Sequence, residues 1–311
     1  ALLPREWLYK LQYPALFFSL LLLLITLSPF APAINGAKRW IPLGPVSVQP
    51  MEFVKIALAL YLAYFMSSKQ ELIKTFSRGV IPPFAVTGLF CFLLLLQPDF
   101  GSAVVLAGIL FFMCVAGGTR FIYLFFSLAL ACAGAMALAI ASPYRLRRLL
   151  AFLDPFQDAH NTGYQLVQSL LAIGSGGLFG VGLGQGTPEK IPAYYNDFIF
   201  AVVCEQLGQA FGVLLLAVYV LLILRGVTVV ARARRSFEML LGCGVLTMLG
   251  IQTFMIVAGV IKMIPLTGVT MPFLSYGGSS LLSCMAMIGI LHGASARAQE
   301  NLEEDILCVR G

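Results

Sequence analysis

The chain has 311 residues, 59% of them hydrophobic and 11% charged, with a mean hydropathy of +0.92. A soluble domain carries roughly 45–50% apolar and about 25% charged residues, so the composition excludes one and describes an integral membrane protein. The formal charge of +6 says little alone, because in a membrane protein the placement of Lys and Arg matters more than their sum.

Runs of about 20 apolar residues recur along the chain without the alternation of barrel strands, which predicts an all-α, polytopic helical bundle. The first span is expected over Leu11 to Phe30, followed by a loop reading Asn35-Gly-Ala-Lys-Arg-Trp-Ile-Pro-Leu-Gly. The second is expected from Gln49 to Ser67. A polar hinge, Ser68 to Gly79, precedes the third, Val80 to Gln97, and the break Pro98-Asp99-Phe100-Gly101 leads into a fourth ending near Ala116. The fifth covers Phe121 to Ala141. The segment 142–196 holds no full span and is expected to be a large outer loop. Three more spans follow, at Asp197 to Leu224, Phe237 to Ile261 and Gly278 to Ala296.

Eight spans return the chain to the side on which it began. Alternate loops collect Arg5, Lys10, Lys69, Lys74, Arg78, Arg120, Arg225, Arg232, Arg234, Arg235, Arg297 and Arg310 on one side, and Lys38, Arg39, Arg145, Arg147, Arg148, Lys190 and Lys262 on the other. The richer side should be cytoplasmic, which places both ends inside and segment 142–196 outside. The first residue is Ala rather than Met, so the N-terminus is expected to be trimmed or missing.

Asp197 is the leading candidate for chemistry, because an acid at the mouth of a span meets water whereas one at its centre costs about 2.5–3.5 kcal/mol. The alternative is that Asp197, or Asn196 before it, caps the helix. Lys38, Arg39 and the Arg145, Arg147, Arg148 group stand on the outer side against the charge bias. Guanidinium groups suit the two-pronged grip of a phosphate or pyrophosphate, and anionic lipid headgroups are the other reading. Glu52 and Lys55, three apart in the second span, share a helix face and can pair. Asp99 lies beside a helix-ending Pro and can orient one of the outer cations.

Seven glycines between Gly174 and Gly186 lack the dinucleotide-binding spacing and are expected to let a turn press against helices. Cys91, Cys114, Cys132, Cys204, Cys243 and Cys284 lie in apolar runs and Cys308 in the tail, with no metal or redox spacing. Only His160 and His292 accompany them, so no zinc centre and no Ser-His-Asp or Cys-His set is expected. The acidic tail Glu300 to Asp305 reads as a solvated end. No nucleic-acid partner is expected.

Several motifs, in order, resemble the shape, elongation, division and sporulation family, which includes FtsW and RodA. They are Asn35 to Gly44, Gln49-Pro-Met-Glu-Phe-Val-Lys55, Gln97-Pro-Asp-Phe-Gly-Ser102, Gly163-Tyr-Gln-Leu-Val-Gln-Ser169, Asp197-Phe-Ile-Phe-Ala201 and Pro272-Phe-Leu-Ser-Tyr-Gly-Gly-Ser-Ser280. The wording at Gly163 leans toward the FtsW branch. The resemblance implies a peptidoglycan glycosyltransferase of the bacterial cytoplasmic membrane that polymerises lipid II at the outer face, for division or elongation, with a class B penicillin-binding protein as partner.

It places the family's essential Asp on Asp197 and a supporting charge network on Arg39, Glu52, Lys55, Asp99 and Glu205. No cofactor is implied with certainty, and a divalent cation, Mg or Mn, stays open. The family has ten spans, and by motif order the first two are missing, so the chain is expected to be a fragment. Two departures stand out: Pro192-Ala-Tyr-Tyr-Asn196 replaces Pro-Glu-x-His-Thr, and Gln206 replaces a second Glu after Glu205. The rival functions are a flippase for lipid-linked precursor, since charges in spans and broken helices also mark transport paths, and a scaffold that recruits a transpeptidase through faces such as Gly208-x-x-x-Gly212.

Overall fold

The computed structural model describes residues 5–29, 31–32, 37–44, 46–73, 75–140, 152–161, 163–233 and 235–310. Helix α1 (Arg5–Leu27) is followed by a hairpin of β1 (Ile41–Leu43) and β2 (Val46–Val48), then α2 (Pro50–Ser68). A π-turn, Phe76–Val80, leads into α3 (Ile81–Leu96), and α4 (Phe100–Ala116) and α5 (Phe121–Ile140) complete the first half. After them come α6 (Tyr164–Gly176), α7 (Ile199–Leu207), α8 (Gln209–Ala231), α9 (Ser236–Val260) and α10 (Gly278–Arg310).

Among the described residues, six helices are long and apolar enough to cross a bilayer, and α4 and α5 supply two shorter apolar helices. The eight expected spans therefore each have a helix, and the chain is a polytopic, all-α membrane protein.

The helices group into two compact units. The first comprises Ala1–Leu124, Leu222–Leu249 and Gly278–Gly311, and the second Phe125–Leu221 and Gly250–Gly277. In the first, α2 is the central helix: Val54, Leu58, Leu62 and Met66 are buried, as are the charged Glu52 and Lys55. Gly244 lets α9 approach closely, since a Cβ there would meet Met113 Sδ at 2.9 Å and Ala59 Cβ at 3.1 Å. The second unit has a core of Ile191, Phe198, Phe200, Ala201, Cys204, Tyr219, Ile256, Val260 and Met271. The Tyr219 hydroxyl donates to the carbonyl of Pro272 within it.

One expected span is corrected. The run from Asp197 to Leu224 is not a single helix: α7 ends at Leu207, Gly208 takes φ +88°, and α8 starts at Gln209. The cause is the glycine-rich loop. Val181 N–H donates to the Glu205 carbonyl at 2.9 Å and Gly182 N–H to the Gln206 carbonyl at 3.0 Å, which occupies carbonyls that the end of a helix leaves unpaired. In return, Gln209 N–H donates to the Gly177 carbonyl at 2.9 Å and Ala210 N–H to that of Leu178 at 3.2 Å, which satisfies the start of α8. The loop thus presses against the helix break, as glycines there permit.

A Cβ on Gly208 would lie 2.3 Å from the Leu178 carbonyl oxygen, and one on Gly180, itself at φ +80°, 2.2 Å from that of Gln206. Gly208→Ala is accordingly expected to cost roughly 2–3 kcal/mol through backbone strain and overpacking. Thermal unfolding in detergent checks it, and an unchanged midpoint would show that the break does not need glycine.

Candidate functional site

In the first unit Lys38, Arg39 and the charges of α2 are placed by the hairpin and the helix starts. Lys38 and Arg39 precede β1, whose register with β2 pairs Ile41 with Val48 and Leu43 with Val46. Pro50 opens α2, where its missing N–H costs nothing, and Glu52 follows in the first turn, where the helix dipole favours an acid. Glu52 Oε2 lies 2.8 Å from Lys55 Nζ, and both side chains are almost wholly buried, at 3% and 1% exposure. The spacing of three residues thus forms the pair that the sequence permits. Lys38 Nζ donates to the Ser28 carbonyl at 3.3 Å, just beyond the end of α1.

Arg39 reaches Asp99: its Nε is 3.8 Å from Asp99 Oδ2, and its Nη2 donates to the carbonyl of Pro98. Asp99 is also the N-cap of α4, accepting from Ser102 N–H at 3.2 Å and from Ser102 Oγ at 2.7 Å. One carboxylate therefore fixes both a helix start and a guanidinium. Asp99→Asn should keep the cap and lose the charge pairing, whereas Asp99→Ala should lose both, with the cap alone worth about 1 kcal/mol. Thermal unfolding of the two variants side by side checks this; equal midpoints would mean that the cap contributes nothing.

In the second unit Asp197 sits half-buried in the turn that precedes α7. The helix's N-cap position falls on Phe198, so neither Asp197 nor Asn196 occupies it. This corrects the expectation of an acid at the mouth of a long span: it stands before a helix of nine residues, Ile199–Leu207. At 1.5 Å per residue such a helix covers about 14 Å, too little to cross a bilayer. Phe198 and Ile191, each 2% exposed, anchor both flanks of the acid in the core.

Glu205, on α7, is 5% exposed. Its Oε1 accepts from Thr187 N–H at 3.0 Å, and Gly186 packs against its carboxyl group, where a Cβ would come within 2.8 Å. Gln206 accepts from Gly184 N–H at 3.4 Å through Oε1. These contacts tie down the turn Pro188–Lys190, from which the chain runs to Asp197.

Arg145, Arg147 and Arg148 lie outside the described residues. Among the described residues no three His, Cys, Asp or Glu side chains gather as a metal centre would.

Sequence reasoning passed over two further features. Ser275 Oγ donates to the Asn196 carbonyl at 2.7 Å, and Tyr276 N–H to that of Tyr195 at 2.8 Å, so the Pro272–Ser280 motif braces the backbone beside Asp197. In the first unit Gln97 Nε2 donates to Thr26 Oγ1 at 2.5 Å and to the Leu23 carbonyl at 3.2 Å, joining α3 to α1. Ser275, Tyr276 and Gln97 all stand inside the motifs quoted above, and their clustering there was the available signal.

Comparison with known proteins agrees with the motifs. The chain is 40% identical to the probable peptidoglycan glycosyltransferase FtsW of Geobacter metallireducens, over 94% of this chain and 79% of that protein. It is 36% identical to the stage V sporulation protein E of Bacillus subtilis, with the same coverage of each chain. Among solved structures, it is similar to a chain of a peptidoglycan synthase complex that coordinates polymerization and crosslinking, with a TM-score of 0.80, 31% identity, and coverage of 95% of this chain and 84% of that one. It is also similar to the rod shape determining protein RodA of Thermus thermophilus, with a TM-score of 0.68, 32% identity, and coverage of 93% and 79%. The family model of the FtsW, RodA and SpoVE cell cycle proteins matches residues 1–300, and the chain belongs to that family.

Proposed function

We propose that the protein is a peptidoglycan glycosyltransferase that polymerises lipid II at the outer face of the bacterial cytoplasmic membrane, working with a class B penicillin-binding protein. The observation that carries the reading is the 40% identity to a protein named for that activity, across 94% of this chain. Asp197 is the general base. It takes the proton of the acceptor sugar's 4-hydroxyl as that oxygen bonds to the anomeric carbon of the donor. The bond from that carbon to the pyrophosphate oxygen breaks, and its electron pair leaves with the undecaprenyl pyrophosphate. One displacement inverts the anomeric centre.

Lys38, Arg39, Arg145, Arg147 and Arg148 grip the departing diphosphate, and charge stabilisation of this kind acts most strongly where water is excluded. Glu52, Lys55, Asp99 and Glu205 support the site. Asp99 does so by holding Arg39, and Glu205 by fixing the segment that carries Asp197.

The test is reconstitution in proteoliposomes with lipid II, with and without a class B penicillin-binding protein whose crosslinking activity is blocked. Glycan chains are the expected product. Movement of lipid II across the bilayer without chain growth would favour a flippase, and neither outcome would leave a scaffold.

A further inference from the structure

The turn beside Asp197 carries an aromatic cluster that the reaction scheme leaves unused. Tyr194 and Tyr195 meet edge to face at 5.3 Å between ring centroids and 80° between planes, and Tyr195 and Tyr276 at 5.8 Å and 86°. Tyr276 is 76% exposed and Tyr195 46%.

Exposed tyrosines in loops are usually free to swing, but the backbone beneath these two is stapled. Tyr276 N–H donates to the Tyr195 carbonyl, and Ser275 Oγ donates to the next carbonyl, that of Asn196, while accepting from Met271 N–H at 2.7 Å. Both contributing turns hold a non-glycine residue in the left-handed region, Ala193 at φ +59° and Phe273 at φ +65°. Strain of this sort costs of order 1–3 kcal/mol per residue and persists only where the surroundings enforce it, commonly at ligand sites.

We infer that Tyr195 and Tyr276 form a binding platform for the pyranose ring of the acceptor sugar. A tyrosine face carries negative charge density, and the C–H groups on one side of a pyranose present positive density to it. Rings that meet edge to face leave faces open to a third partner. Tyrosine also offers a large, rigid contact area while fixing only two torsions, and its hydroxyl remains available to a sugar hydroxyl. Tyr195 precedes Asp197 by two residues, so their Cα atoms are at most about 7 Å apart. A sugar on the platform is then within a side chain's reach of the acid. The identity of the sugar rests on the function proposed above, whereas the platform itself does not.

The test uses full-length protein in nanodiscs and reads two things. The first is binding of the soluble disaccharide GlcNAc-β-1,4-MurNAc by saturation-transfer NMR, on an Asp197→Asn background so that chemistry is off. The second is KM and kcat for lipid II polymerisation with Asp197 present. Tyr195→Ala and Tyr276→Ala are each expected to weaken disaccharide binding and raise KM about five- to ten-fold while changing kcat far less. Tyr195→Phe and Tyr276→Phe should keep most of both.

Disaccharide binding equal to that of the native rings in both alanine variants overturns the platform, including the case in which only nanodisc stability falls, which would mark the rings as membrane-interface anchors. Absence of disaccharide binding by the native rings overturns it as well. Binding through the two rings without any glycan synthesis leaves the platform standing and removes the glycosyltransferase.

Discussion

Asp197→Asn is expected to insert and fold like the native chain while polymerising lipid II about 10²–10⁴-fold more slowly, the usual contribution of a positioned general base. The two side chains are nearly isosteric, and the flanking anchors Phe198 and Ile191 are untouched. The N-cap of α7 lies at Phe198, so the substitution removes no N-cap residue. What it removes is the capacity to accept a proton and hold it. Glycan length and yield on gels, beside thermal unfolding of the same preparation, check the prediction. An Asn variant that polymerised at the native rate would falsify the assignment of the base, whatever became of the rest of the scheme.

The second large effect concerns the buried pair in α2. Lys55→Met should lower stability by about 3–5 kcal/mol, because it leaves the carboxylate of Glu52 at 3% exposure without its cation 2.8 Å away. Adding Glu52→Leu should recover most of the loss, since an apolar pair of similar volume avoids desolvating two charges. Activity is expected to part company with stability here. The double variant should melt near the native temperature and still make little or no glycan, if the pair belongs to the working site. Recovery of polymerisation along with stability would reduce Glu52 and Lys55 to a structural pair.

Hydropathy shows the spans well, because a helix that crosses a bilayer has to be apolar along its length. The Glu52–Lys55 contact was legible for a similar reason: helical spacing alone puts the two on one face. The break at Gly208 was not. Apolar residues continue on both sides of it, from Phe198 to Val203 and from Ala210 to Leu224, and the polar stretch between them, Glu205-Gln206-Leu207-Gly208-Gln209, is too short to separate one long span from two helices. What ends α7 is a set of amide donors from a loop about 25 residues earlier in the chain, and spacing along the chain carries no trace of such contacts.

The cap on α4 shows the same limit from another side. Asp99 and Ser102 form it, while the acid weighed as a cap, Asp197, stands one residue before the N-cap position. The sequence suggests Asp99 as a partner for a nearby cation, and Arg39 does lie beside it. The sequence could name the two roles but could not assign both to one carboxylate.

The four backbone hydrogen bonds that lock residues 177–182 onto residues 205–210 have a bearing on how a reaction there would proceed. With Thr187 tethered to Glu205 and Phe198 seated in the core, the peptide that carries Asp197 cannot travel toward a reactant without unzipping that lattice. On the proposed mechanism the searching is left to the lipid-borne sugar, which diffuses in the plane of the membrane. Turnover would then be set by how fast the growing strand slides back by one disaccharide, and not by the swing of a catalytic arm.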